Sequence, residues 1–269
     1  SALQENTTGT RNVALGANAL DANTVGGKNV ALGMDALGTN VDGSRSVAVG
    51  DSALAAQEPA SAVDMYNTAV GYNAGLAVTT GIRNTLIGGL AGDSYTDADY
   101  NVAVGMFVLG SDTLGSRSTG MGYGALQTQN FTTATDSYNV GVGYDAGAAL
   151  TTGIQNTLIG GLAGDALTDA DYNIAIGYAS LTTDTLGSRS VAMGPFALYT
   201  QNFTTATTTY NTAVGYSAGG AVTTGISNTL IGGLAGDALT DADKNVAVGQ
   251  RALSGDTLGS KSTAIGTDA

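Results

Sequence analysis

The chain has 269 residues, 9 Lys and Arg against 22 Asp and Glu, a formal net charge of −13, and neither cysteine nor histidine. That balance argues against nucleic acid as a partner, because phosphate contacts need clustered Lys and Arg. It also leaves no disulfide framework, and it removes the commonest general base and metal ligand.

Hydrophobic residues make up 43% and aromatics 6% of the chain, which is too apolar for disorder and too rich in small side chains for an ordinary globular core. No run of about 18 apolar residues occurs, so no membrane insertion is predicted. The start SALQENTTGT lacks the charged and apolar regions of a secretion signal, and the pattern beginning there suits a fragment or mature piece.

From Asn12 onward one five-residue phrase recurs: Asn or Ser, then Val, Thr or Ile, a small or aliphatic residue, an aliphatic residue, and Gly. It returns at Asn29, Ser46, Asn67, Asn84, Asn101, Ser118, Asn139, Asn156, Asn173, Ser190, Asn211, Asn228, Asn245 and Ser262, in steps of 17 or 21 residues. Three short steps and one long step make a 72-residue super-repeat, seen in YNTAVGYNAG, YNVGVGYDAG and YNTAVGYSAG at 66, 138 and 210. A short period repeated this often predicts an all-β parallel β-roll or β-solenoid of about fifteen turns, with residues 1–269 as a single repetitive fibre domain.

Within the phrase, Val, Thr, Ile, Leu or Met at the second and fourth positions alternates with a third residue that is usually Ala, the pattern of a strand. The fifth position is Gly in all fifteen copies, and Gly16, Gly71, Gly143 and Gly215 are assigned as structural corners needing positive φ or a backbone too crowded for Cβ. A second short strand is expected after each corner, as at 17–20 and 72–75, giving two strands per turn. Stacked at roughly 4.8 Å per turn, such turns would form a rod about 70 Å long. A turn this thin leaves apolar surface unburied, and the small-residue third column would let another surface approach; together these predict lateral association, as a homotrimer.

The Asn and Ser of the first position are expected to form hydrogen-bonded ladders. One residue earlier runs a row of Arg, Lys and Tyr that holds eight of the nine basic residues. It reads either as a cationic and aromatic stripe for glycans or as a solvated edge pairing with Asp112, Asp184 and Asp256.

The four extra residues of each long step should be extruded as loops. Asn130, Phe131 and Thr132, with Asn202, Phe203 and Thr204, are the receptor-binding candidates, although either Phe could instead tuck into a subunit interface. Asp97 with Asp99, Asp169 with Asp171, and Asp241 with Asp243 form D-x-D pairs; nothing around them matches a calcium loop, so turn carboxylates are expected and no metal is assigned. No cofactor is assigned. Uniform repeats offer no unique cleft for a carboxylate pair, so no catalytic residue and no enzyme activity is expected. A Thr column runs through Thr68, Thr85 and Thr119, but Val and Ile interrupt it, which speaks against an ice-binding grid.

NVALGANAL, SVAVGDSAL and NVAVGQRAL resemble the repeats of trimeric autotransporter adhesin heads, whose SVAIG-type units form left-handed parallel β-rolls assembled as trimers. NTLIGGLAGD at 84, 156 and 228, preceded by TTGI, is more similar to repeats of phage tail fibres and related surface fibres. Turns of 17 or 21 residues exceed those of the adhesin heads, and no stalk, neck or anchor pattern accompanies them, which favours the fibre. The resemblance implies a trimeric attachment structure on a virion or at a cell surface, with a host-surface glycan or protein as receptor. A bacterial adhesin head and a self-assembling extracellular filament are the alternatives.

Overall fold

A computed structural model describes residues 1–269, which fall into two compact units, Ser1–Tyr138 and Asn139–Ala269. Both are parallel β-solenoids without helix, about fifteen turns in all. The first unit stacks three-residue strands Val13–Leu15, Val30–Leu32, Val47–Val49, Thr68–Val70, Thr85–Ile87, Val102–Val104 and Thr119–Met121. Each phrase pairs with the same phrase in the next turn, Val13 with Val30, Val47 with Thr68 and Thr85 with Val102. The second unit repeats the arrangement from Val140–Val142 to Thr263–Ile265.

Strand alternation sets the two faces. The third position points inward and is buried in every turn except the first and last, whereas the second and fourth face outward and are half-buried or exposed. The small-residue column is therefore the interior of the turn, and the surface it was expected to offer is lined instead by Val, Leu, Ile and Met. The reason is thickness. Only Ala, Gly or Leu fits between the strand and the opposite wall, formed by pairs such as Ala36 and Leu37 or Ala53 and Leu54, all fully buried.

Two versions of the repeat conserve the volume of that interior. In NVALGMDAL the strand supplies Ala31 and the opposite wall Leu37; in NTLIGGLAG the strand supplies Leu86 and the wall Gly92. A Cβ on Gly92 would lie 2.8 Å from Leu86 Cδ2 and 2.7 Å from Tyr95. In the second unit a Cβ on Gly164 or Gly236 would lie 2.8 or 2.7 Å from Leu158 or Leu230 in the same way. The leucine has changed sides without changing the packed volume, the kind of exchange a core tolerates.

Past the corner the chain does not form the expected second strand. Residues 17–22 and their equivalents are turns in which the left-handed conformation recurs, as at Asn18 (φ 57°) and Leu20 (φ 50°). Backbone stacking survives there: Leu20 N donates to Ala36 O at 3.0 Å, and Asp35 N to Ala17 O at 2.9 Å. Each turn so has one three-residue strand closed by a hydrogen-bonded turn segment. Short strands reappear only beside the long steps, where Gly115–Ser116 pairs with Thr135–Asp136 and Gly187–Ser188 with Thr207–Thr208.

At the corners Gly16, Gly71, Gly143 and Gly215 have φ of 135°, 140°, 141° and 134°. A Cβ on them would lie 2.3, 2.5, 2.5 and 2.6 Å from the carbonyl oxygen of the next corner glycine. Both strain and contact therefore forbid a side chain.

The first position forms a buried ladder. Asn156 Nδ2 donates to Ala170 O at 2.7 Å, while its Oδ1 accepts the Asn173 N–H at 2.9 Å. In the first unit Asn84 makes the same bonds to Ala98 O and Asn101 N. The carboxamide thus satisfies two backbone groups, one on either side of the strand entry, that would otherwise be buried without partners. Ser takes its place before each long step because a glutamine then enters the interior: Gln57 accepts from Ser46 Oγ (3.1 Å) and Asn67 Nδ2 (2.9 Å), and donates to Asn40 Oδ1 (2.9 Å).

Candidate functional site

The row preceding the phrase adopts the left-handed conformation in every turn, from Arg11 (φ 61°) to Lys261 (φ 63°). In the first unit its arginines and tyrosines stack in alternation. Arg45 lies 5.5 Å from the Tyr66 ring, Arg83 5.9 Å from Tyr66 and 5.2 Å from Tyr100, and Arg117 4.9 Å from Tyr100. Arg83 also donates to the Tyr100 hydroxyl and Arg117 to that of Tyr138. Only Arg189 over Tyr172, at 5.1 Å, continues the stacking in the second unit. The guanidinium groups are occupied by their neighbours, so the stripe is a self-satisfied edge with aromatic surface between the charges.

Its acidic partners differ from those expected. Arg45 pairs with Asp64 at 2.8 Å and Arg117 with Asp136 at 3.3 Å, both in long-step segments. Asp112 and Asp184 instead lie buried beneath the loops. Asp112 accepts from Gly115 N, Phe131 N and Gln129 Nε2 at 3.0, 3.1 and 2.6 Å, and Asp184 makes the same three bonds in the second unit. Burial pushes the Asp112 carboxyl above its ordinary range, with these hydrogen bonds opposing the shift. Asp256 accepts from Gly259 N of its own turn at 2.8 Å.

These carboxylates anchor the loops that hold the receptor candidates. Phe131 and Phe203 are only 6% and 7% exposed, with their rings inside their own units. A Cβ on Gly115 would meet the Phe131 ring at 2.7 Å. Asn130 and Thr132 are exposed, Asn202 is half-buried and Thr204 exposed. The asparagines accept from Thr113 and Thr185 of the preceding turn at 3.2 and 3.3 Å. What each loop presents to solvent is a small hydroxyl-rich tip, Thr132 and Thr133 or Thr204 and Thr205, pinned from below by the phenylalanine.

The D-x-D carboxylates tie consecutive turns together. Asp97, Asp169 and Asp241 accept the Thr80, Thr152 and Thr224 hydroxyls at 2.6 Å. Asp99, Asp171 and Asp243 accept the Ile82, Ile154 and Ile226 N–H groups at 2.8 Å.

Two surface grooves lie along the turn segments that follow the corners. In the first unit Asn18, Asp21, Asp35, Thr39 and Ser52, with Ala22 and Ala55, line a groove of about 550 Å³, across which Asn18 Nδ2 donates to Asp35 Oδ1 at 2.9 Å. In the second unit Phe196, Tyr199, Tyr216, Leu234 and Asp237 line an aromatic groove of about 560 Å³. The sequence signal for the second was a break in the repeat that period counting passes over: Pro195, Phe196 and Tyr199 stand where the preceding super-repeat has Tyr123, Gly124 and Gln127.

Compared with known proteins, the chain matches no family model and no curated protein at a significant level.

Proposed function

We propose that the chain is a structural segment of a trimeric attachment fibre, borne on a virion as part of a tail fibre, that holds binding surfaces toward a host cell and performs no catalysis. The observation that carries this reading is the outward strand face. Ile87, Met121, Ile159 and Ile231 remain 39%, 43%, 37% and 40% exposed, in columns that repeat with every turn. An ordered apolar face of this kind marks an interaction surface, and neighbouring copies of the same chain supply a face of matching period. The resemblance of the repeat phrases to those of fibre proteins gives the attachment role its direction. Three identical chains would present three sets of loop tips, so that weak contacts add through multivalency.

The reading is tested by incubating the fluorescently labelled chain with a panel of bacterial cells and with immobilised animal extracellular matrix. Saturable binding to particular bacterial strains is expected. Binding to matrix alone would transfer the chain to the cell-surface adhesins, and binding to neither would remove the attachment role.

A further inference from the structure

The aromatic groove of the second unit has the composition of a receptor for an organic cation. Phe196 is its hub: Tyr199 and Tyr216 meet it edge to face, with centroids 5.6 and 6.1 Å away and planes at 74° and 87°, and Tyr178 flanks it at 5.5 Å and 84°. Rings at near right angles form an uneven aromatic wall rather than one flat platform, and exposed ring faces in such a wall attract a cation. Both lining tyrosines are well exposed, so the walls are open to a ligand. The volume of about 560 Å³ lies within the roughly 300–1,000 Å³ of small-molecule sites.

The second, independent observation is a carboxylate with unused acceptor capacity. Asp237 lines the groove, and its Oδ1 is buried with no hydrogen-bond partner. Its counterpart one super-repeat earlier, Asp165, takes the hydroxyl of Thr182. Ser254 stands in the position equivalent to Thr182 and makes no such bond. An unpaired buried acceptor is costly, and a ligand's positive charge would offset that cost.

The Thr200 hydroxyl is committed to Gly220 O and Val222 O at 2.9 and 3.0 Å, which removes one hydrogen-bonding group from the groove. No basic residue lines the groove, and the net charge of −13 draws cations toward it.

We infer that the groove formed by Phe196, Tyr199, Tyr216 and Asp237 binds a methylated ammonium group of the kind a choline headgroup carries, held by the aromatic walls and countered by Asp237. The site stands on this geometry and not on the attachment reading, and the two can fail separately.

The test titrates the whole chain with choline chloride and follows tyrosine fluorescence, since there is no tryptophan. A dissociation constant on the order of 1 mM is expected. The uncharged isostere 3,3-dimethylbutanol should bind about tenfold more weakly. Tyr216→Leu and the milder Asp237→Asn should each weaken choline binding about tenfold while the far-ultraviolet spectrum stays unchanged. Tyr72→Leu, at the equivalent position of the first unit, should have no effect. No saturable choline signal, equal binding of the isostere, or binding that survives both groove variants would overturn the site. Preferential binding of methyl pyranosides would also overturn it and make the groove a sugar subsite. Cell attachment that persists without choline binding would leave the fibre reading intact and remove only this one.

Discussion

The corner glycines and the row before the phrase both hold the backbone at positive φ, yet one column never varies and the other runs through Arg, Lys, Tyr, Gln and Ser. The row sits at φ between 50° and 64°, the left-handed well that ordinary residues enter at modest cost. The corners sit between 126° and 141°, outside it. Corners inside the stack, such as Gly16, Gly71, Gly143 and Gly215, also lie so close to the next that a Cβ would strike a carbonyl oxygen, whereas residues of the row carry their side chains at the surface. Positive φ alone does not require glycine; positive φ combined with backbone crowding does. The same division separates scaffold from surface: columns that serve stacking are nearly fixed, and the freedom to differ lies in the outer rows and past the corners.

Breaking the corner should cost most. Gly143→Val adds a β-branched side chain at φ 141° and 2.5 Å from the Gly160 carbonyl oxygen, so a loss of about 2–6 kcal/mol is expected. Denaturant unfolding measures it, and an unchanged midpoint would contradict the account. Close behind is Asn156→Ala, which leaves Ala170 O and Asn173 N without their side-chain partners and should cost about 2–5 kcal/mol. Asn156→Asp should recover little, because a carboxylate cannot donate to Ala170 O.

A smaller effect is expected from pH. Burial raises the carboxyls of Glu58, Asp93, Asp99, Asp112 and Asp165 above their ordinary values. Folding therefore favours their protonated forms. The stability this contributes is fully present below the ordinary carboxylate range near pH 4 and is lost as pH rises through the raised values. The thermal midpoint should rise as pH falls from neutrality toward the ordinary carboxylate range of about 4, and a fall over that interval would show that other ionisations dominate.

The smallest change sharpens the opposite side of the comparison. Ser227 sits at φ 61° in the tolerant row, so Ser227→Gly relieves left-handed strain and should be neutral or stabilising by up to about 1 kcal/mol. A clear loss of stability would mean that the row is constrained by more than its backbone.

Much of the fold was legible because stacking imposes its period directly on the sequence: the 17-residue and 21-residue steps are the strand registers Val13 to Val30 and Val47 to Thr68. Alternation announced two faces but not which one pointed inward, since Ala31 suits either a thin interior or a close external contact. The second strand failed because ANAL alternates in chemistry while Asn18 and Leu20 take left-handed conformations that amphipathic pattern does not encode. Phe131 and Phe203 look like loop-tip anchors in sequence, yet each packs over its own unit because Asp112 or Asp184 draws the loop backbone down. The aromatic groove required attention to what breaks the repeat, as Phe196 and Tyr199 do, rather than to what makes it.

The outward columns of Val, Leu, Ile and Met are proposed as a face covered by other copies of this chain. The most direct measurement is the solution mass of the 269-residue chain by light scattering at several concentrations. The account expects three times the 26.5 kDa of one chain, persisting on dilution. A stable species of 26.5 kDa with no tendency to associate would contradict it.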